Sequence, residues 1–204
     1  MYTLDQRILG IIILFLLGML VAVKQVATGS ILDKPKGNFL VQLVNIFNLF
    51  FLLVVNPMTA VLLITRRFPA IDPTHLVIDD VQILMVLEIT GLVLYVTGHL
   101  LMTWALLGLR GNYQLGGSVP RTGDVLVQTG PFRLIRHPMY TAALSIALGL
   151  AFLVQSLACL SVFCIYLVFI IFLIPFEEEG LRKAYGKQYG AYQQKAKKII
   201  PFVY

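Results

Sequence analysis

The sequence predicts an all-α integral membrane protein of about five transmembrane helices, the fourth and fifth paired as a hairpin, with an amphipathic cytoplasmic helix at the carboxyl end. Three observations lead there. Hydrophobic residues make up 58% of the 204 and charged residues only 13%, with a mean hydropathy of +0.85, far from soluble composition. Apolar runs of roughly the 20 residues that cross a bilayer lie at about 8–27, 39–64 and 81–109. A longer run, 139–176, is broken only by Gln155-Ser156, so it divides into two short spans joined by a tight turn. One membrane domain over 1–204 results, with three spans in 1–109 and a cofactor-binding loop, the hairpin and the tail in 110–204.

The first span follows Arg7, and no small-x-small cleavage site follows it, so it reads as a helix that stays and not as a signal peptide. The second carries Gln42, Asn45, Asn48, Asn56 and Thr59 on one broad face, where polar side chains join helices or line a cavity, and Pro57 is expected to kink it. In the third, Glu88, Tyr95 and His99 are spaced 7 and 4 apart and share one face. Ionisable groups inside a membrane are functional candidates by default. The competing reading pairs Glu88 with a neighbouring helix near the outer side and His99 with a backbone carbonyl.

The loop 110–138, with Gly111, Gly116, Gly117, Gly123 and Gly130, is too long for a simple connector. Pro138 suits the first position of a helix, which makes His137 the cap of the fourth span. In the tail, 177–198, Leu181, Tyr185, Tyr189, Tyr192 and Ala196 fall within one helical sector. That stripe lies on the membrane surface or folds back over the loop. Gly186 and Gly190 each weaken the helix by about 1 kcal/mol relative to alanine, and a bend is expected near Gly186.

Five crossings put the termini on opposite sides. Arg7, Arg66 and Arg67 fall on one side and the other 13 of the 16 basic residues, Lys34 and Lys36 among them, on the other. The excess of Lys and Arg in cytoplasmic loops then places the amino terminus outside and the tail, the tri-glutamate Glu177-Glu178-Glu179 and the 110–138 loop inside. Spread over loops in this way, the net charge of +6 argues for topology and against nucleic acid. Cys159 and Cys164, five apart in an apolar run, suit neither a redox pair nor a metal site.

Arg136 beside a helix start is a natural carboxylate site, because guanidinium makes paired hydrogen bonds and the helix dipole adds attraction. The hairpin returns the glutamates to the same edge, where they can take ribose hydroxyls, an ammonium, or the field of a sulfonium. S-adenosyl-L-methionine carries all of these groups.

The run Gly130-Pro131-Phe132-Arg133, then Arg136-His137-Pro138-Met139-Tyr140, the glutamates, Tyr185-Gly186-x-x-Tyr189-x-x-Tyr192 and Ile200-Pro201 resembles the isoprenylcysteine carboxyl methyltransferase family and its phospholipid methyltransferase relatives. The resemblance covers about 107–201. It implies a multi-pass methyltransferase using S-adenosyl-L-methionine, with Leu126, Val127, Gly130, Arg136, His137, Tyr140, Glu178 and Glu179 in the cofactor pocket and Arg136, His137 and Glu178 at the chemistry. His99, Asn112 and Tyr113 are the acceptor-side candidates. Relatives carry a Trp-Ser pair shortly after the Leu-Gly that ends the third span, whereas here Leu107-Gly108 is followed by Leu109-Arg110-Gly111-Asn112-Tyr113, and that departure leaves prenylcysteine-like carboxylate, lipid amine and small thiol all open as acceptors. A membrane reductase of the sterol-reductase kind using NADPH, and a non-catalytic membrane component, are the two other readings.

Overall fold

The computed structural model describes residues 2–32, 39–114, 120–121 and 123–199. Lys34, Lys36, Gly116, Gly117, Ile200 and Pro201 lie outside the described residues. Helix α1 (Gln6–Thr28) starts at Asp5, whose carboxylate accepts from the N–H groups of Arg7 and Ile8, and stops at Gly29 in a left-handed conformation. Helix α2 (Phe39–Phe50) runs through a π-helical turn (Phe51–Val55) into α3 (Asn56–Ile64). Pro57 has no N–H to return to the preceding turn. The wider π turn absorbs that loss, and the Asn56 side chain donates to the Phe51 carbonyl at 2.8 Å. The expected kink therefore takes the form of a π turn just before the proline.

After the short α4 (Phe68–Ile71), α5 (Val81–Leu109) is capped by Asp80. Helix α6 (Pro138–Val154) and α7 (Leu157–Tyr185) are joined at Gln155-Ser156, where Gln155 is left-handed and the Ser156 hydroxyl caps α7. The hairpin turn and the start at Pro138 fall where the polar break and the proline put them. Among the described residues four helices, α2 to α3 counted as one, are long and apolar enough to cross a membrane, and α6, at 17 residues, is a shorter apolar helix. Seventeen residues rise about 25 Å, the lower limit for a span. The outer faces carry lipid-ready side chains such as Phe15, Val86 and Phe172, and Cys164 is exposed among them, whereas Leu9, Ile13, Leu150 and Ile170 pack inward with Cys159.

Helices α5 and α6 lie in close contact because glycines line their seam. A Cβ at Gly149 would sit 2.6 Å from the Tyr95 nitrogen, and one at Gly91 2.7 Å from the Leu153 nitrogen. Gly149→Leu therefore forces the helices apart, and we expect a loss of about 1–3 kcal/mol or more, read as a lower melting temperature in detergent. Gly18→Leu, where an added Cβ meets nothing within 4 Å, should melt as the parent does.

The two ends of the bundle are tied differently. At one end Leu76 donates to Gln155 O at 2.8 Å, the His75 ring bonds Val154 O at 3.0 Å, and Glu88 accepts from the N–H groups of Thr3 and Leu4 at 3.1 and 2.8 Å. Glu88 thus holds the amino-terminal segment ahead of α1, and not a neighbouring helix as the structural reading of that residue expected. At the other end 196–199 pairs with 134–137: Arg136 N–H donates to Lys197 O at 2.7 Å, His137 N–H to Lys198 O at 3.0 Å, and Lys197 N–H back to Leu134 O at 3.1 Å. Helix α7 runs on through Pro175, so the chain bends only at Gly186 before α8 (Lys187–Lys195). The stripe of Tyr189, Tyr192 and Ala196 packs on Leu126, Leu181 and Tyr185, so the tail folds back over the loop.

Candidate active site

One cavity of about 390 Å³ reaches from this tied end into the helix bundle. Its volume lies in the range of small-molecule sites. Its polar half is walled by Asn112, Tyr113, Asp124, Leu126, Val127, Arg136, His137, Tyr140, Glu177 and Tyr189. Its deep half is mainly apolar, with Leu20, Val44, Phe51, Met102 and Ile146 beside the polar Asn45, Asn48, Asn56 and His99, and it reaches Ile46 and Leu53, which are exposed on the lipid side.

The three consecutive glutamates do not act together, because residues 100° apart on a helix cannot share a face. Glu177 turns to the cavity and accepts from the Tyr140 hydroxyl. Glu178 turns inward, where Arg136 Nε donates to its Oε1 at 2.8 Å, His137 Nε2 to the same oxygen at 3.3 Å, and the Gln193 amide to its Oε2 at 3.1 Å. The Arg136 and Glu178 side chains are only 8% and 7% exposed, so this is a buried ion pair whose partners depend on one another. Glu179 turns outward to Lys183 at 2.6 Å and is not on the cavity wall. The His137 ring stacks on Tyr140 with centroids 5.5 Å apart.

Arg136 is more heavily committed than its sequence position suggests. Its Nη1 donates to the carbonyls of Gln193 and Ala196, which leaves Nη2, without a protein partner among the described residues, as its donor to a ligand. The expected site at the start of α6 is narrower for a second reason, since the tail carbonyls already take the Arg136 and His137 N–H groups. A ligand carboxylate meets one guanidinium nitrogen and not a two-pronged fork.

Gly130 is in a positive-φ turn against Trp104, where a Cβ would lie 3.2 Å from the indole nitrogen, so it shapes the loop and does not line the cavity. Two aromatic residues that were read as part of an apolar stripe and of the tail motif, but not assigned to the pocket, line it. Tyr192 donates to Phe132 O at 2.6 Å, closing the tail onto the loop. Tyr189 is fully buried, and its hydroxyl finds no protein partner among the described residues although it lines the cavity. Burial raises both phenols above their ordinary range and keeps them as O–H donors. An unmet buried hydroxyl costs roughly 1–3 kcal/mol, so a polar ligand group fits there. The signal in the sequence was a tyrosine at each position where any large apolar side chain would have packed.

Asp124 clips the loop by accepting from Arg121 N–H at 2.9 Å, from the Arg121 guanidinium at 3.3 Å and from the Gln114 amide. Burial opposes its charge, but the Arg121 and Gln114 hydrogen bonds outweigh it and hold the carboxyl below its usual range. A depressed folded value means the clip is fully formed above the ordinary carboxylate value of about 3.9 and is lost as pH falls through the lowered one. Amide protection in 110–114 and 123–125, taken relative to the intrinsic exchange rate at each pH, should be flat from about pH 7 to 5 and fall only below about pH 4.

The geometry defines a multi-pass membrane protein with one cavity shared between a polar end and the lipid side. Its fold is similar to that of the solved eukaryotic intramembrane Ras methyltransferase, isoprenylcysteine carboxyl methyltransferase, with a TM-score of 0.54 over 92% of this chain and 74% of that one at 20% identity. No curated protein sequence matches the chain. The family model described as phospholipid methyltransferase matches residues 86–188, from the second turn of α5 into the start of α8, and the chain belongs to that family of membrane methyltransferases.

Proposed function

We infer that the protein transfers a methyl group from S-adenosyl-L-methionine to a lipophilic acceptor that enters the cavity from the bilayer. The observation that carries this reading is the single cavity with two chemistries: Arg136, Glu177 and the unmet Tyr189 hydroxyl at one end, and an apolar space reaching exposed Ile46 and Leu53 at the other. Family membership supplies the reaction class. The residues present fit the cofactor: Arg136 Nη2 suits its carboxylate, Glu177 its cationic groups, and Tyr189 and Asp124 its hydroxyls and base.

When bound, the cofactor supplies an already activated methyl group. The chain's own part is alignment and exclusion of water. Glu178 holds the Arg136 and His137 side chains in place from behind, so it is a positioning residue, while His137 and Tyr140 form a stacked wall. The acceptor is a membrane-embedded small molecule, whether prenylcysteine-like carboxylate, lipid amine or thiol. The 3-to-13 distribution of basic residues supports a cytoplasmic polar end and an outer amino terminus.

Titration of the purified protein in detergent tests the reading. S-adenosyl-L-methionine and its demethylated product should both bind, with Tyr189→Phe weakening them by about tenfold, the worth of roughly 1.4 kcal/mol. Absence of binding by either, with binding of NADPH instead, would move the protein to the reductase reading.

A further inference from the structure

We propose that His99 is the proton acceptor for the methyl acceptor, and that the acceptor is accordingly a nucleophile bearing a hydrogen, an amine or a thiol, and not a carboxylate. The inference rests on the methyl-transfer reading above and deepens it.

His99 lies on α5, almost wholly buried, with its ring on the wall of the deep half of the cavity. Nδ1 is 2.9 Å from the Tyr95 carbonyl. A carbonyl oxygen only accepts, so Nδ1 carries the proton and Nε2 presents a bare lone pair. Among the described residues no protein group bonds Nε2. The ring is held from below by the Tyr95 ring, with centroids 4.4 Å apart, and the Tyr95 hydroxyl donates to Asn56 Oδ1 at 2.7 Å. The Asn56 amide in turn donates to Phe51 O at the π turn, so the break in the second span anchors the histidine.

Elsewhere in this half the polar groups are already engaged with the protein: the Asn45 amide donates to Val41 O at 2.8 Å, and Asn48 accepts from the Tyr166 hydroxyl. The neighbouring Gly98 abuts Ala142 O and Ile146. That level is about one to one and a half turns, some 6–8 Å, beyond the start of α6. His99 thus stands between the polar wall and the apolar space, where acceptor and methyl donor meet. The cations that line the cavity, Arg136 and Lys24, belong to its polar end, the latter over the Tyr113 ring, so among the described residues a carboxylate acceptor finds no cation beside His99, whereas an N–H or S–H finds a lone pair.

The step balances. The acceptor's nitrogen or sulfur forms its bond to the methyl carbon, the S–CH3 bond breaks with its electron pair going to the donor's sulfur, and the acceptor's proton passes to Nε2. One positive charge leaves the sulfonium as one appears on the imidazolium, so for a neutral nucleophile the low-dielectric cavity sees no net change of charge.

His99→Asn keeps a donor for Tyr95 O and removes Nε2, while His99→Gln puts an amide near Nε2 that hydrogen-bonds but takes no proton. Each is assayed with labelled S-adenosyl-L-methionine and vesicles carrying phosphatidylethanolamine, a long-chain alkanethiol, or a farnesylated cysteine. Cofactor affinity is measured separately by titration, and the Nε2 resonance of ¹⁵N-histidine protein is followed as each vesicle is added. The proposal expects transfer to the amine or the thiol and a fall in kcat of roughly 10²–10⁴-fold in both variants, with KM held closer to the parent in His99→Gln. Cofactor affinity should be unchanged, and the Nε2 resonance should move only with the accepted vesicle. Unchanged transfer by His99→Asn, or methylation of the carboxylate vesicle alone, overturns the role of His99 while leaving methyl transfer standing. Failure of the parent protein to bind the cofactor overturns the underlying reading, and this inference with it.

Discussion

Arg136→Ala should lose cofactor binding altogether and destabilise the folded protein by about 3–5 kcal/mol, the usual cost of removing one partner of a buried ion pair. The cause is the carboxylate left behind. Glu178 is 7% exposed on its side chain and, without the guanidinium, keeps only the His137 ring and the Gln193 amide. The carbonyls of Gln193 and Ala196 lose their donor at the same time, so the tail loosens as well. Pairing the change with Glu178→Leu removes the stranded charge, and the double variant should recover much of the stability without recovering binding. Thermal denaturation in detergent and cofactor titration read the two effects separately. A single variant that binds as the parent does would show that Arg136 only ties the tail.

Truncation after Gly186 should abolish cofactor binding while α1 to α6 stay folded. The deletion removes Tyr189 and Tyr192 from the site and takes away the acceptors of the Arg136 and His137 N–H groups, which donate to Lys197 and Lys198 in the intact chain. Each buried donor left unmet costs roughly 1–3 kcal/mol, so two or more such losses weaken binding by at least about 100-fold. Helical content by circular dichroism should fall only by about the length of α8. A non-catalytic membrane component predicts the reverse, a tail that hardly matters to any cofactor.

The sequence was most legible where the membrane simplifies it. Inside hydrocarbon every backbone group must be met within a helix, so the polar pair Gln155-Ser156 and the ring of Pro138 had few structural meanings open to them. The spacing of Tyr95 and His99 was legible for the same reason. Directions around a helix were less so: once α7 continues through Pro175, Glu177, Glu178 and Glu179 take three different faces, and only the first reaches the cavity. The pairing of 196–199 with 134–137 joins segments some sixty residues apart mostly through backbone groups, and no side-chain pattern announces such a bond. Tyr189 was hidden differently, because a tyrosine in an apolar stripe looks the same whether its hydroxyl is met or not.

Light-induced crosslinking of labelled S-adenosyl-L-methionine to the intact protein, followed by mapping of the labelled peptides, tests the central claim most directly. The account predicts adducts confined to 124–140 and 177–193, competed away by the demethylated product. Adducts at the opposite end of the bundle, near Glu88 and His75, or labelling that the product does not displace, would contradict it.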